Sequence, residues 1–243
     1  MQYSPLLLFS LLVNFSAGLI SLIIFILSFR KKGYFCKESL RHWSLAFFLI
    51  TFLRIPTIMA AGGVNLTITD LVSSYYVFAL FISIAAFILI YRGAVIMITD
   101  KKIWVNVFPI VSFVIFVPSI LIAKFILNAS APDVIGIIYI FYYLCILFTV
   151  VVISKALWQK SVKPIVKSGI ISIIIGWILF LTYNTHMWIN MTSYSEDKWF
   201  FALISTPYSY LGFTIGYFLI LIGFILVCFG DRPLENSNAY YED

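Results

Sequence analysis

The sequence predicts an all-α membrane protein: a bundle of seven transmembrane helices with its N-terminus outside and its C-terminus in the cytoplasm. Three observations support this fold class: a shortage of charged residues, long apolar segments, and basic residues that are confined to one set of helix ends. Of the 243 residues, 63% are hydrophobic and 11% are charged, whereas a soluble domain carries about 25% charged residues. The chain therefore has too little polar surface for a fold that faces water.

Seven apolar segments are long enough to cross a membrane, since about 20 apolar residues span the hydrocarbon core. The first is followed by Arg30, Lys31 and Lys32, which is typical of a stop-transfer helix rather than a cleaved signal peptide. We expect one transmembrane domain over 1–230 and a short disordered cytoplasmic tail over 231–243. The helices are predicted near residues 5–28, 42–61, 71–91, 103–123, 134–153, 168–189 and 200–229.

The distribution of basic residues predicts the orientation of the helices, because cytoplasmic loops of membrane proteins carry an excess of lysine and arginine. One set of helix ends carries only Lys124 and Lys198 and is predicted to lie outside. The other set is predicted to be cytoplasmic. It carries Arg30, Lys31, Lys32, Lys37, Arg41, Arg92, Lys101, Lys102, Lys155, Lys160, Lys163, Lys167 and Arg232.

The predicted outer loops, 62–70, 125–133 and 190–199, each contain a glycosylation sequon, at Asn65, Asn128 and Asn190. Such sites are used only on the outer side, so they give mild support to the orientation. All loops are short, and none has room for a soluble catalytic or signalling domain. We therefore expect any message to reach the cytoplasm through a loop or through a partner protein.

Polar side chains inside the predicted spans gather in the outer halves, whereas inner stretches such as Leu19–Leu27 and Ile170–Ile175 are almost entirely apolar. This gradient predicts a polar, aromatic-lined pocket above an apolar plug. A tyrosine belt at the outer interface, together with ordinary bonds between helices, is the alternative. The candidate ligand-binding residues are Arg54, Asn14, Tyr75, Tyr76, Tyr142, Tyr183, Asn184, His186, Tyr208 and Tyr210.

Arg54 is the only charged residue well inside a predicted span, roughly 18 Å from the cytoplasmic end of helix 2. An arginine at such a depth costs at least about 2.5 kcal/mol on insertion scales, so it requires a partner. Tyrosine hydroxyls, the carbonyls freed by Pro56, or Asp70 at the start of helix 3 could satisfy it. An anionic ligand in the outer pocket would satisfy it equally, and the sequence leaves both interpretations open.

Three amphipathic side chains lie near the predicted ends of the spans. His42 and Trp43 begin helix 2 and are expected to be interface anchors on the cytoplasmic side. His186 lies near the outer interface, where it is expected to be either an interface residue or a pH sensor.

The sequence contains no arrangement that predicts catalysis, and we expect neither an enzyme nor a metal site. The two histidines are far apart, and no carboxylates accompany them in the spans. No GxSxG motif and no phosphate-binding loop is present. The basic residues are scattered over short loops and form no nucleic-acid-binding face, so no nucleic-acid partner is expected.

Tyr210 lies in the general region where microbial rhodopsins, which this chain resembles in size, helix number and orientation, carry their retinal-binding lysine. The last predicted span contains no lysine, because Lys198 precedes it, and helix 3 has no acidic counter-ion. The resemblance is therefore one of architecture only. We predict neither a photoreceptor nor any cofactor.

The function that best fits these patterns is a receptor-like or sensor module. It would reside in the cell membrane, bind a small ligand, a lipid or a partner helix in its outer half, and signal through a separate cytoplasmic or membrane protein. One alternative is a small-solute transporter in which helices 1–3 and 5–7 are parallel repeats joined by helix 4. Another is a non-catalytic subunit of a membrane complex, in which Arg54 meets an acidic residue of a second chain.

Overall fold

The computed structural model describes residues 5–29, 37–52, 76–98, 102–127, 131–158, 162–192 and 207–230. Within these ranges there are seven α-helices and no strand, which confirms the all-α class. The predicted tail, 231–243, lies outside the described residues. The helices are α1 (Pro5–Ser28), α2 (Lys37–Phe52), α3 (Tyr76–Ile98), α4 (Lys102–Leu121), α5 (Ala131–Ser154), α6 (Pro164–Thr192) and α7 (Pro207–Gly230).

Several helices extend past the apolar runs from which they were predicted, whereas α1 has the predicted bounds. α2 begins at Lys37 rather than near residue 42, and α6 continues to Thr192, which places Asn190 in a helix and not in an outer loop. α4 passes directly into a short π-helix, Ile122–Ile126. The physical reason is that hydropathy marks the limits of the apolar layer, whereas backbone hydrogen bonds continue a helix through polar residues beyond it.

Several helices have the length and composition of membrane spans. Leu11–Ser28, Pro164–Tyr183 and Tyr210–Gly230 are long and apolar enough to cross a membrane. Large apolar side chains also face outward from the helices, with Phe15 at 67% and Val114 at 62% exposure. A surface of this kind fits lipid better than water, which supports membrane association. Shorter apolar helical stretches occur at Phe81–Ile96, Asn106–Leu121 and Ile140–Ser154.

Six helices form a closed ring in the order α1, α2, α3, α5, α6 and α7, because α7 packs back against α1. The fourth helix is outside this ring. α3 and α5 contact each other directly, and α4 packs against both of them from the outside. As a result, α4 exposes a broad apolar face that includes Ile110, Phe113 and Val114.

The most extensive helix pair, α6 and α7, is antiparallel and packs through glycines. A Cβ atom at Gly169 would lie 2.7 Å from the carbonyl oxygen of Gly223, and one at Gly176 would lie 2.6 Å from that of Gly216. The two glycines of each helix are seven residues apart, so they lie on one face, two turns from each other. In lipid, where apolar burial drives helix association little, such close backbone approach is a principal source of attraction.

Serine hydroxyls connect the helices on the side predicted to be cytoplasmic. Ser21 Oγ on α1 donates to the carbonyl oxygen of Ser44 on α2 at 2.8 Å, and Ser44 Oγ donates to that of Ser21 at 2.9 Å. Ser39 Oγ on α2 donates to the carbonyl oxygen of Gly93 on α3 at 2.5 Å. Each bond joins a side chain to the backbone of a neighbouring helix, which fixes the rotation of α2 relative to both neighbours.

We expect Gly176→Ala to destabilise the bundle by about 1–3 kcal/mol, because the new methyl group would overlap backbone atoms of α7. Gly18→Ala is the matched control: its Cβ would have Thr51 Cγ2 as nearest neighbour, at 3.8 Å. Denaturation in mixed detergent micelles measures both free energies of unfolding. Equal effects of the two substitutions would contradict the close α6–α7 packing.

Candidate functional site

A continuous group of aromatic rings fills the interior of the helix ring, and we call it the aromatic core. It is contributed by α2, α3, α5, α6 and α7, and along α7 it extends about 21 Å from Tyr210 to Phe224, at a rise of about 1.5 Å per residue. Its buried members are Trp43, Phe47, Phe87, Phe141, Trp177, Phe180, Tyr210, Phe213, Tyr217 and Phe224.

Two tryptophans from opposite sides of the ring meet in the aromatic core. The ring centroids of Trp43 on α2 and Trp177 on α6 are 5.9 Å apart, and that of Phe224 on α7 is 4.7 Å from Trp43. Both tryptophans are fully buried. The expectation that Trp43 is an interface anchor is therefore wrong: close approach to Gly93, where a Cβ would lie 2.1 Å from its ring, allows the indole to point inward.

The indole nitrogens of both tryptophans lack a hydrogen-bond partner among the described residues. A buried donor without an acceptor costs about 1–3 kcal/mol. Ring packing offsets this cost, because aromatic pairs stabilise beyond the area that they bury. Trp177 packs against Phe47 and Phe180, and Trp43 packs against Trp177 and Phe224. The aromatic core thus holds two indole N–H groups that have no acceptor among the described residues.

Six of the ten predicted site residues have no described side chain. Arg54 and Tyr75 lie outside the described residues, so the structure does not test either interpretation of the arginine. Tyr76, Asn184, His186 and Tyr208 belong to described helices, but only their backbone is described: Tyr76 begins α3, Asn184 and His186 lie in the last part of α6, and Tyr208 lies in the first turn of α7.

Tyr142 and Tyr210, two predicted site residues, are brought into the aromatic core. Tyr142 is half-buried and stacks on Phe87, with ring centroids 4.0 Å apart. Tyr210 is fully buried beside Phe213, at 6.3 Å. Contacts through Phe180 connect the two pairs, since its ring lies 6.1 Å from that of Phe87 and 5.2 Å from that of Phe213.

Tyr183 and Asn14 are described but have different surroundings. Tyr183 is half-buried on α6, and its ring covers Gly212 of α7 so closely that a Cβ there would lie 2.1 Å from Cδ2 of the tyrosine. Asn14 is half-buried on α1, and its Oδ1 atom is buried without a hydrogen-bond partner among the described residues. Tyr183 therefore lies at the α6–α7 interface, whereas no described contact joins Asn14 to the tyrosines.

A further polar pair lies at this level and was not among the predicted site residues. The hydroxyls of Tyr143 on α5 and Thr185 on α6 are hydrogen-bonded to each other, and Thr185 Oγ1 also donates to the carbonyl oxygen of Leu181 at 2.8 Å. One bond therefore links α5 to α6 near the predicted outer pocket. The sequence contained one indication of this pair, because tyrosines occupy the adjacent positions 142 and 143. Adjacent residues on a helix face different neighbours, so the two tyrosines are expected to have different partners.

The inner half of the bundle is less uniform than the sequence suggests. It contains the two buried tryptophans and four interhelical bonds from serine hydroxyls to backbone carbonyls. The fourth, from Ser172 Oγ to the carbonyl oxygen of Leu219 at 2.7 Å, joins α6 to α7. These hydroxyls donate to backbone carbonyls of neighbouring helices. The described inner half is therefore closed by rings and by bonds that are satisfied internally.

The positions of the tryptophans in the sequence indicate the aromatic core, although hydropathy alone does not detect it. Tryptophan is enriched at membrane interfaces, so Trp177, in the middle of a predicted span, is out of place unless it is buried against protein. Trp43 and Phe47 are four residues apart, and Trp177 and Phe180 are three apart, spacings that place each pair on one helix face.

No protein-family model, curated protein or solved structure matches this chain.

We expect the hydroxyl pair between α5 and α6 to contribute a coupling free energy of about 0.6 kcal/mol, the average for polar pairs in membrane helices. The double-mutant cycle uses Tyr143→Phe, Thr185→Val and the combined variant, with unfolding measured in mixed micelles. Tyr143→Phe combined with Ser172→Ala is the control, and these two changes should add to within about 0.3 kcal/mol. Additivity in the first cycle would contradict the assigned bond.

Proposed function

We propose that this chain is a multi-pass protein of the cell membrane in which all seven helices cross the bilayer, with the N-terminus outside. We propose further that it is a receptor-like or sensor module and not an enzyme. It would bind a small ligand among the polar and aromatic side chains of its outer half, and act on a separate protein partner.

The observation that carries this proposal is the closed core beneath the predicted pocket. Below the level of Tyr210, the fully buried Phe47, Trp177, Tyr217 and Phe224 fill the described interior. A transporter or channel requires a polar path through its whole depth, whereas a receptor requires a polar site at one end only. Closure at the inner side therefore favours binding over passage.

The order of helices in the ring favours a second candidate, the transporter with two three-helix repeats. If α1, α2 and α3 are exchanged with α5, α6 and α7, respectively, the order of the helices around the ring stays the same. Trp43 and Trp177, which meet in the core, come from the middle helix of each triplet. In this interpretation the aromatic core is a gate that opens during transport.

The orientation is testable by thiol labelling in a variant whose three native cysteines are replaced by serine. Trp158→Cys, at the exposed end of the short 3₁₀-helix Lys155–Trp158 that follows α5, is expected to react with a membrane-impermeant maleimide in inverted vesicles and not in intact cells. Ser193→Cys, in a predicted outer loop, is expected to react in intact cells. The opposite pattern would reverse the proposed topology without affecting the packing of the helices.

The closed core is testable in the same cysteine-free background. Thr185→Cys reports on the outer half, and Ala46→Cys, a small change at a fully buried position between Trp43 and Phe47, reports on the core. In a receptor, an impermeant reagent is expected to modify Ala46→Cys more slowly than Thr185→Cys by at least about tenfold, the factor given by each 1.4 kcal/mol of opening free energy. Rapid modification of Ala46→Cys from the cytoplasmic side would favour the transporter.

A further inference from the structure

A groove of about 470 Å³ runs along the periphery of the helix ring, between α1 and α2. Its walls are apolar side chains that are about half exposed: Leu22 and Phe25 from α1, Leu45 and Phe48 from α2. On α2, Leu45 lies four residues after Arg41 and Phe48 lies three residues after Leu45, so the three side chains form one stripe along the helix. The groove therefore follows the helix axes over about 10 Å, from Arg41 to Phe48.

The floor of the groove contains polar atoms that are already bonded. Gly18, Ser21 and Ser44 form it, and the two hydroxyls each donate to the carbonyl oxygen of the other serine. The serines are also 8% and 6% exposed, respectively. An occupant would gain few hydrogen bonds from this floor but could make close van der Waals contact with it, because Gly18 carries no side chain. The floor thus fits a hydrocarbon chain.

One end of the groove is basic. Arg41 is exposed there and is part of the groove lining, and the exposed Lys37 lies one turn earlier on α2. In the sequence, the stretch from Arg30 to Arg41 contains five basic residues and one acidic residue, Glu38. In the proposed orientation this end faces the cytoplasm, where the membrane leaflet carries anionic lipids that attract basic residues next to a helix.

We propose that this groove binds an anionic phospholipid, with an acyl chain between α1 and α2 and the headgroup phosphate on the Arg41 guanidinium. The walls and floor match the chemistry of the chain, and the basic end matches that of the headgroup. An arginine binds phosphate with two parallel N–H donors, which makes it a better partner for this group than a lysine. The proposal rests on the membrane embedding proposed above.

Native mass spectrometry of the intact chain in detergent micelles tests the proposal, with phosphatidylglycerol and phosphatidylcholine of equal chain length as probes. We expect the wild-type chain to prefer phosphatidylglycerol. Arg41→Gln is expected to weaken phosphatidylglycerol binding about fivefold, the effect of one basic residue beside an anionic headgroup, with little change for phosphatidylcholine. Lys155→Gln, an equal charge change at an exposed position on another helix end, is the matched control.

The apolar part of the site is tested by filling it. Leu45→Trp is expected to weaken the binding of both lipids, whereas Ile175→Trp, at a similarly exposed apolar position on α6, is expected to leave them unchanged. The proposal is overturned if each groove variant behaves like its control. It is also overturned if glycerol phosphate alone competes fully, or if the groove variants change only the oligomeric mass, which would assign the groove to a second copy of the chain.

These measurements are independent of the orientation and of the signalling role. In micelles, a reversed topology would leave the lipid preference intact and would appear only in the thiol labelling. Conversely, a bundle that binds no lipid in the groove could still have the closed core and the outer pocket of a receptor.

Discussion

Contact between the backbones of α6 and α7 is the constraint on which the described interior depends. Because Gly176 and Gly216 bring the two helices together, Trp177 and Tyr217, the residues that follow these glycines, are both held in the aromatic core. α2 then completes the core from the opposite side of the ring with Trp43 and Phe47. A side chain in the glycine contact would separate α6 from α7 and displace rings that three helices share.

The all-helical class was predictable from the sequence because it follows from the long apolar segments. The packing was not, since it depends on which face of each helix turns inward. Trp43 illustrates this difference: its place at the start of an apolar run is typical of an interface anchor, but the absence of a side chain at Gly93, fifty residues later in the chain, lets it turn inward. Such pairing between distant positions has no local signature.

The candidate site was predictable in part for a related reason. Intramembrane polarity identified Tyr142, Tyr183 and Tyr210, and the structure places all three against the main hydrophobic core. It gave no weight to phenylalanine and tryptophan, which hydropathy scores as ordinary apolar residues. Phe87 and Phe180 nevertheless connect Tyr142 to Tyr210. These tyrosines are therefore part of a packed group of rings that also includes side chains of α2, α6 and α7.

The position of α4 outside the ring has a consequence for how such a chain can be assembled. If every helix crosses the bilayer, a unit of three helices ends on the side opposite to the one on which it began. Two such units can have the same orientation only when one additional crossing returns the chain to the starting side. In that case α4 would make this crossing at the edge of the bundle, where it packs against α3 and α5. The role of α4 would then be only to make the number of crossings odd. For this it must be helical, apolar and long enough, and its outward face needs only to be compatible with lipid.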